Sequence, residues 1–234
     1  MSQPALSLNF FDPEHGLHGS ARSGMTLLFE GSASRALADG ARIEPAGDGW
    51  HAELDGAFAL DLAPVAPAAD LDGVTVQICS ATGEVDGRTV SCLATVSETY
   101  EAPSWDELDA LRSISALFDE SHAFLAIGRR PAGALGHDVE RTAAWLLDDG
   151  QATAVEDARI STVYDGEGRQ RSAGLELWLP DQDHAVRGSG TVVAGSSLQL
   201  EAVDVHAAIF RWRIGNREGA GAYELMTRSK PEAA

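Results

Sequence analysis

The stretch SETYEAPSWDELDALRSISALFDESHAFLAIGRR (97–130) separates two runs of short alternating segments and predicts the seam of a duplicated β protein. Within it, Ser104 follows Pro103 as an N-cap. Asp106, Glu107 and Asp109 then fall where a helix dipole favours acids. Leu108, Leu111 and Ile114 share one helical face. Together they predict a short helix over Trp105–Arg112, so that residues 104–113 read as a helical linker between an N-terminal unit (1–103) and a C-terminal unit (114–230).

On both sides of the linker the pattern is that of strands. AELDGAFALDLAP (52–64) alternates apolar and polar residues with period two. VTVQICSATGEVDGRTVSCLATVSETY (74–100) reads as a hairpin turning at Gly83–Gly87, and ARISTVYDGEGRQRSAGLELWLPD (158–181) as a hairpin around Asp-Gly-Glu-Gly. The two halves echo each other. LFDESHAFLA (117–126) resembles FFDPEHGLHG (10–19), ARISTV (158–163) resembles ARIEPA (41–46), and GLELWLPD (174–181) resembles AFALDLAP (57–64). Collinear echoes and little helix predict an all-β fold: two consecutive lipocalin-like antiparallel barrels or half-barrels of about six strands each, joined by the short linking helix.

Composition narrows the function classes. The 234 residues carry 17 basic and 36 acidic side chains, a net charge of −19. That field repels nucleic acid and anionic membrane surfaces. No apolar run is long enough to span a membrane, and MSQPALSLNFF has neither a basic nor a long apolar leader, so membrane insertion is not expected and a cytoplasmic location is. Cys79 and Cys92 straddle the turn of one hairpin and read as reduced core thiols.

Strong chemical motifs are absent: there is no GxSxG, P-loop, CxxC or HExxH. GSGTVVAG (188–195) lies between predicted strands rather than before a helix, which argues against a dinucleotide. His15 and His18 are a metal pair without an evident third ligand, or simply two exposed turn histidines. His137, Asp138 and Glu140 form a polar knot that reads as exposed loop, or as the mouth of a barrel. The densest cluster is Tyr100, Glu101, Ser104, Trp105, Asp106 and Glu107. Protonating an alkene needs a carboxylic acid in an apolar pocket beside aromatic faces, and Glu101 with Tyr100 and Trp105 suits that; a capped, solvated turn is the alternative. Asp204 and His206 alternate along one strand and would be an acid–base pair if that face points inward. Trp145, Trp178, Trp212 and Tyr223 are candidates for core or for the wall of a ligand cavity.

Three segments together are similar to a known family. They are Glu98-Thr-Tyr-Glu101 with Ser104-Trp105 and Leu111–Ala126; Phe210-Arg-Trp212 followed by Gly215-Asn-Arg-Glu-Gly219-Ala-Gly221-Ala-Tyr-Glu224; and the opening NFFDPEHGLHG. They resemble the bacterial tandem lipocalin-like proteins related to hydroxyneurosporene synthase (carotenoid 1,2-hydratase) and, more distantly, to tocopherol cyclase. The resemblance implies two lipocalin-like domains and an apolar, terpenoid- or polyene-like small molecule. It also implies acid-catalysed hydration or cyclisation at a carbon–carbon double bond, without a cofactor. Where that family often has Arg-Asp-x-Ser-Trp-Gly, this chain has Glu101-Ala102-Pro103-Ser104-Trp105-Asp106, so the family's acid is replaced and Glu101 is the substitute. The expectation is a hydratase or cyclase acting in a cavity at the domain junction, with Glu101, or Asp204 with His206, as the acid. Tyr100, Trp105, Trp145, Trp178, Trp212 and Tyr223 would then contact the substrate. A non-catalytic carrier of a hydrophobic metabolite is the alternative.

Overall fold

Residues 108–119 form a strand, not a helix. A computed structural model describes residues 4–101, 103–134, 139–200 and 203–229. In it Trp105–Glu107 is a turn, and the strand that follows is hydrogen-bonded to a neighbour on each side. The i, i+3 spacing of Leu108, Leu111 and Ile114 imitates a helix because both faces of this strand are covered. Ile114 and Ala116 pack on one side and Leu117 on the other, with Leu111 against it. Near-continuous burial hides the period of two. Among the described residues no α-helix is present, and no helix is long and apolar enough to cross a membrane.

The first sheet contains β1 (Ala5–Asp12), β2 (Leu17–Arg22), β3 (Met25–Glu30), β4 (Ala33–Leu37), β5 (Arg42–Ala46), β6 (Gly49–Leu54), β7 (Phe58–Pro64), β8 (Ala69–Asp70), β9 (Val74–Val85) and β10 (Arg88–Thr99). The second contains β11 (Leu108–Asp119), β12 (His122–Pro131), β13 (Arg141–Asp148), β14 (Gln151–Ala154), β15 (Asp157–Tyr164), β16 (Gln170–Trp178), β17 (Val186–Leu200), β18 (Val203–Ile214) and β19 (Arg217–Arg228). The sheet orders are β4-β3-β2-β1-β10-β9-β7-β6-β5 and β14-β13-β12-β11-β19-β18-β17-β16-β15, with β8 a side branch on β9. Position by position the two orders are the same path, and each sheet curls into a half-barrel. The units are larger than the expected six strands because short turns cut each predicted hairpin region more finely.

Two of the echoes fall on equivalent places. FFDPEHGLHG and LFDESHAFLA are the β1–β2 and β11–β12 hairpins, and in each an aspartate accepts from the histidine three residues on (Asp12–His15, 2.7 Å; Asp119–His122, 2.8 Å). ARIEPA and ARISTV fall on β5 and β15. GLELWLPD does not match AFALDLAP, since β16 stands where β6 stands and β7 is the counterpart of β17.

Alternation along each strand divides its side chains between two apolar cores. Leu8, Phe10, Leu60, Ile78's neighbour Cys79, Ala94 and Val96 fill the first barrel. Phe124, Leu175, Phe210, Trp212 and Tyr223 fill the second. The outward faces of the two sheets pack together through Phe11, Leu27, Phe29 and Ile78 on one side and Leu117, Leu125, Trp145 and Ile209 on the other.

GSGTVVAG is part of the fifteen-residue strand β17, interrupted only by a bulge at Val192–Ala194. Its glycines serve packing. A Cβ on Gly190 would stand 2.5 Å from the Trp212 ring and 2.8 Å from Phe210, two rings stacked with centroids 5.1 Å apart. Gly190→Ala is expected to cost about 1–3 kcal/mol by overpacking. Urea unfolding checks this, and an unchanged midpoint would mean the rings yield freely.

Candidate functional site

Between the two sheets lies a cavity of about 410 Å³, within the usual range for small-molecule sites. Strands β1, β10, β11, β12 and β19 and the segment Leu71–Val76 enclose it. Its apolar lining is Leu71, Val74, Val76, Leu111, Leu125, Ile127 and Met226. Polar side chains are interleaved with it, Ser97 paired across strands with Val76 and Ser113 with Ile127. Ala94 and Val96 of β10 enter the first barrel, so Thr95, Ser97 and Thr99 turn to the cavity, and Glu101 continues their face past the strand end. Ser7 and Asn9 of the first sheet and Ser113 of the second add further polar groups to the lining.

Inside the cavity the Arg22 guanidinium donates to the Glu224 carboxylate, pairing residues 202 positions apart. Glu224 is 8% exposed. The Nε of Arg22 is buried and has no hydrogen-bond partner among the described residues. Arg129, at the edge, is tied to Asp72. Neither pair was legible beforehand, because each joins elements that meet only through the packing of the two sheets.

The proposed site residues separate. Glu101 and Trp105 both line the cavity, Glu101 exposed at its mouth and Trp105 half-buried. Tyr100 does not: it lies on the other face, 54% exposed, and its hydroxyl donates to Glu98 at 2.6 Å. Trp145 is buried in the packing between the sheets. Trp212, fully buried, belongs to the interior of the second barrel. Trp178 ends β16, away from the cavity, with its indole N–H buried and without a partner among the described residues. Tyr223 is fully buried in the second barrel. Its hydroxyl is 2.6 Å from Thr162 Oγ1 and accepts from Arg112 Nη1 at 3.3 Å. Burial pushes this phenol up to about 12. Asp204 and His206 do share a face of β18, but they are not a pair. Asp204 accepts from Ser229 (2.9 Å), the His206 ring bonds to Ser197 (2.7 Å), and neither lines the cavity.

The other sequence candidates dissolve. His15 is exposed on its turn, whereas His18 is 5% exposed beside Phe11, so the two are not a metal pair. Cys79 and Cys92 are free, and burial pushes both thiols up to about 12, which removes them as nucleophiles near neutral pH. His137 and Asp138 lie outside the described residues. Glu140, read as exposed loop or as the mouth of a barrel, is not exposed: its side chain is only 4% exposed, is paired with Arg112 and borders a pocket of the second barrel.

His18 gives the site region a pH dependence. Burial lowers it from 6.5 to about 4, with Asp12 opposing weakly. The unfolded chain therefore takes up this proton first. The stability His18 contributes is complete above about pH 6.5 and is lost as pH falls towards 4, an effect of about 3 kcal/mol at the acid limit. His18→Phe should flatten the acid limb of stability against pH; an unchanged limb would assign it wholly to carboxylates.

The fold has solved counterparts. A candidate AttH protein from Nitrosomonas europaea superposes with a TM-score of 0.64 at 12% identity, over 94% of this chain and 91% of that one. Kievitone hydratase from Nectria haematococca superposes with a TM-score of 0.59 at 7% identity, over 97% of this chain and 90% of that one. At such identities the likeness shows the fold: two tandem lipocalin-like units. No family model and no curated protein matches the sequence.

Proposed function

We propose that this protein is a hydratase, adding water to or removing it from a double bond of a largely apolar small molecule held in the cavity between the sheets. One observation carries the reading: a carboxyl group, Glu101, and an indole, Trp105, line the same cavity as a set of apolar side chains and hydroxyl groups. The kinship of fold with kievitone hydratase supports it.

The chemistry closes with water alone. The Glu101 carboxyl gives its proton to one alkene carbon, and the π electrons form the new C–H bond. The adjacent carbon becomes cationic, and the face of Trp105 stabilises that charge. Water adds to it and returns a proton to the Glu101 carboxylate. The reverse order dehydrates an alcohol, and no atom changes hands with a cofactor. Terpenoids and polyenes would lie against Leu71, Val74, Leu111, Leu125, Ile127 and Met226. Cyclisation would follow if an internal alkene met the cation before water did.

Incubation with a panel of isoprenoid and polyene alkenes in heavy-oxygen water tests this reading. The expected result is an alcohol carrying one heavy oxygen. The exposure of Glu101 favours a second reading, a carrier without catalysis. A panel left unchanged, together with release of an intact apolar molecule from purified protein, would replace the first reading with the second.

A further inference from the structure

The second barrel holds charged groups that its counterpart lacks. In the first barrel the inward positions of β1 and β2 include Leu8, Phe10, Leu17 and Ala21. In the second, Arg112 on β11 and Arg130 on β12 border a pocket of about 210 Å³ near the barrel end, together with Glu140, Tyr164 and Leu225.

The two arginines differ. Arg112 is satisfied: its Nε donates to Glu140 at 2.8 Å, and its Nη1 reaches Ile160 O, Thr162 and Tyr223. Arg130 makes no hydrogen bond or ion pair with any described residue, and its Nε is buried. A guanidinium half-withdrawn from water without a partner is costly to hold. Its planar fork is suited to a carboxylate. The Tyr164 hydroxyl, on the same pocket wall, likewise has no hydrogen bond to a described residue. Arg112 is already matched by Glu140, which leaves the charge of Arg130 for a ligand.

We propose that this pocket is a binding site for a monocarboxylate with a short apolar chain. The carboxylate would lie on Arg130 with Tyr164 as second donor, and the chain against Leu225 and Ala110. The site is separate from the cavity between the sheets and does not depend on the function proposed for that cavity.

Hexanoate is a suitable probe, titrated by calorimetry at physiological salt, where the long-range repulsion of the acidic surface is screened. Saturable binding to one site is expected. Arg130→Gln should weaken it by at least about tenfold, and Tyr164→Phe by a smaller factor. Hexanol, which keeps the chain and lacks the charge, should not compete. Circular dichroism and the melting temperature of Arg130→Gln should match the parent protein. No hexanoate binding to the parent, equal binding by folded Arg130→Gln, or equal binding of inorganic phosphate would each overturn the proposal.

Discussion

Glu140→Gln is expected to lower the unfolding free energy by about 3–5 kcal/mol, the usual cost of leaving one member of a buried ion pair behind. The side chains of Arg112 and Glu140 are 5% and 4% exposed, so water cannot replace the lost partner. Arg112 would retain only neutral acceptors, Tyr223 at 3.3 Å, Thr162 at 3.4 Å and the Ile160 carbonyl. The double variant Arg112→Met with Glu140→Leu should recover most of the loss, because apolar replacement of a whole buried pair is often neutral. Urea unfolding of the parent, both single variants and the double variant checks this. A Glu140→Gln loss below about 1 kcal/mol would mean that the pair is solvated and behaves as a surface bridge.

Glu101→Gln should reduce turnover of the alkene identified in heavy-oxygen water by about 10²- to 10⁴-fold, the range expected when a positioned general acid is removed. The amide keeps the shape of the side chain but cannot supply the proton. Because Glu101 is exposed at the cavity mouth, the melting temperature should not move and KM should change little. Glu98→Gln is the control. Glu98 lies three residues earlier on the opposite face, where it holds the Tyr100 hydroxyl, and its loss should leave turnover intact. Full activity in Glu101→Gln would remove Glu101 from the mechanism.

The place of Glu101 was legible, and the company it keeps was not. Thr95, Ser97, Thr99 and Glu101 recur at every second position while Ala94 and Val96 fall between, so a shared polar face is written into the chain. That this face meets Leu125 and Met226 rather than solvent depends on the docking of the second sheet. Tyr100 shows the same rule from the other side: one residue from Glu101 in sequence, it points away. The linker misled for a related reason. Acids after a serine satisfy the rules for a helix start, but Leu108–Asp119 is bonded along both edges, and that pairing outweighs local propensity.

Sequence by itself determined that strands predominate, the duplication marked by the Asp12–His15 and Asp119–His122 turns, and which residues share a face. These follow from short-range geometry, the period of two and the turn chemistry. Tertiary structure alone decided the pairing of Arg22 with Glu224 and of Arg112 with Glu140, the burial of His18, the lack of a partner for Arg130 among the described residues, and most of the lining of the cavity expected at the junction. Each depends on two distant segments arriving at one place, and partners 202 or 28 residues apart leave no local signature.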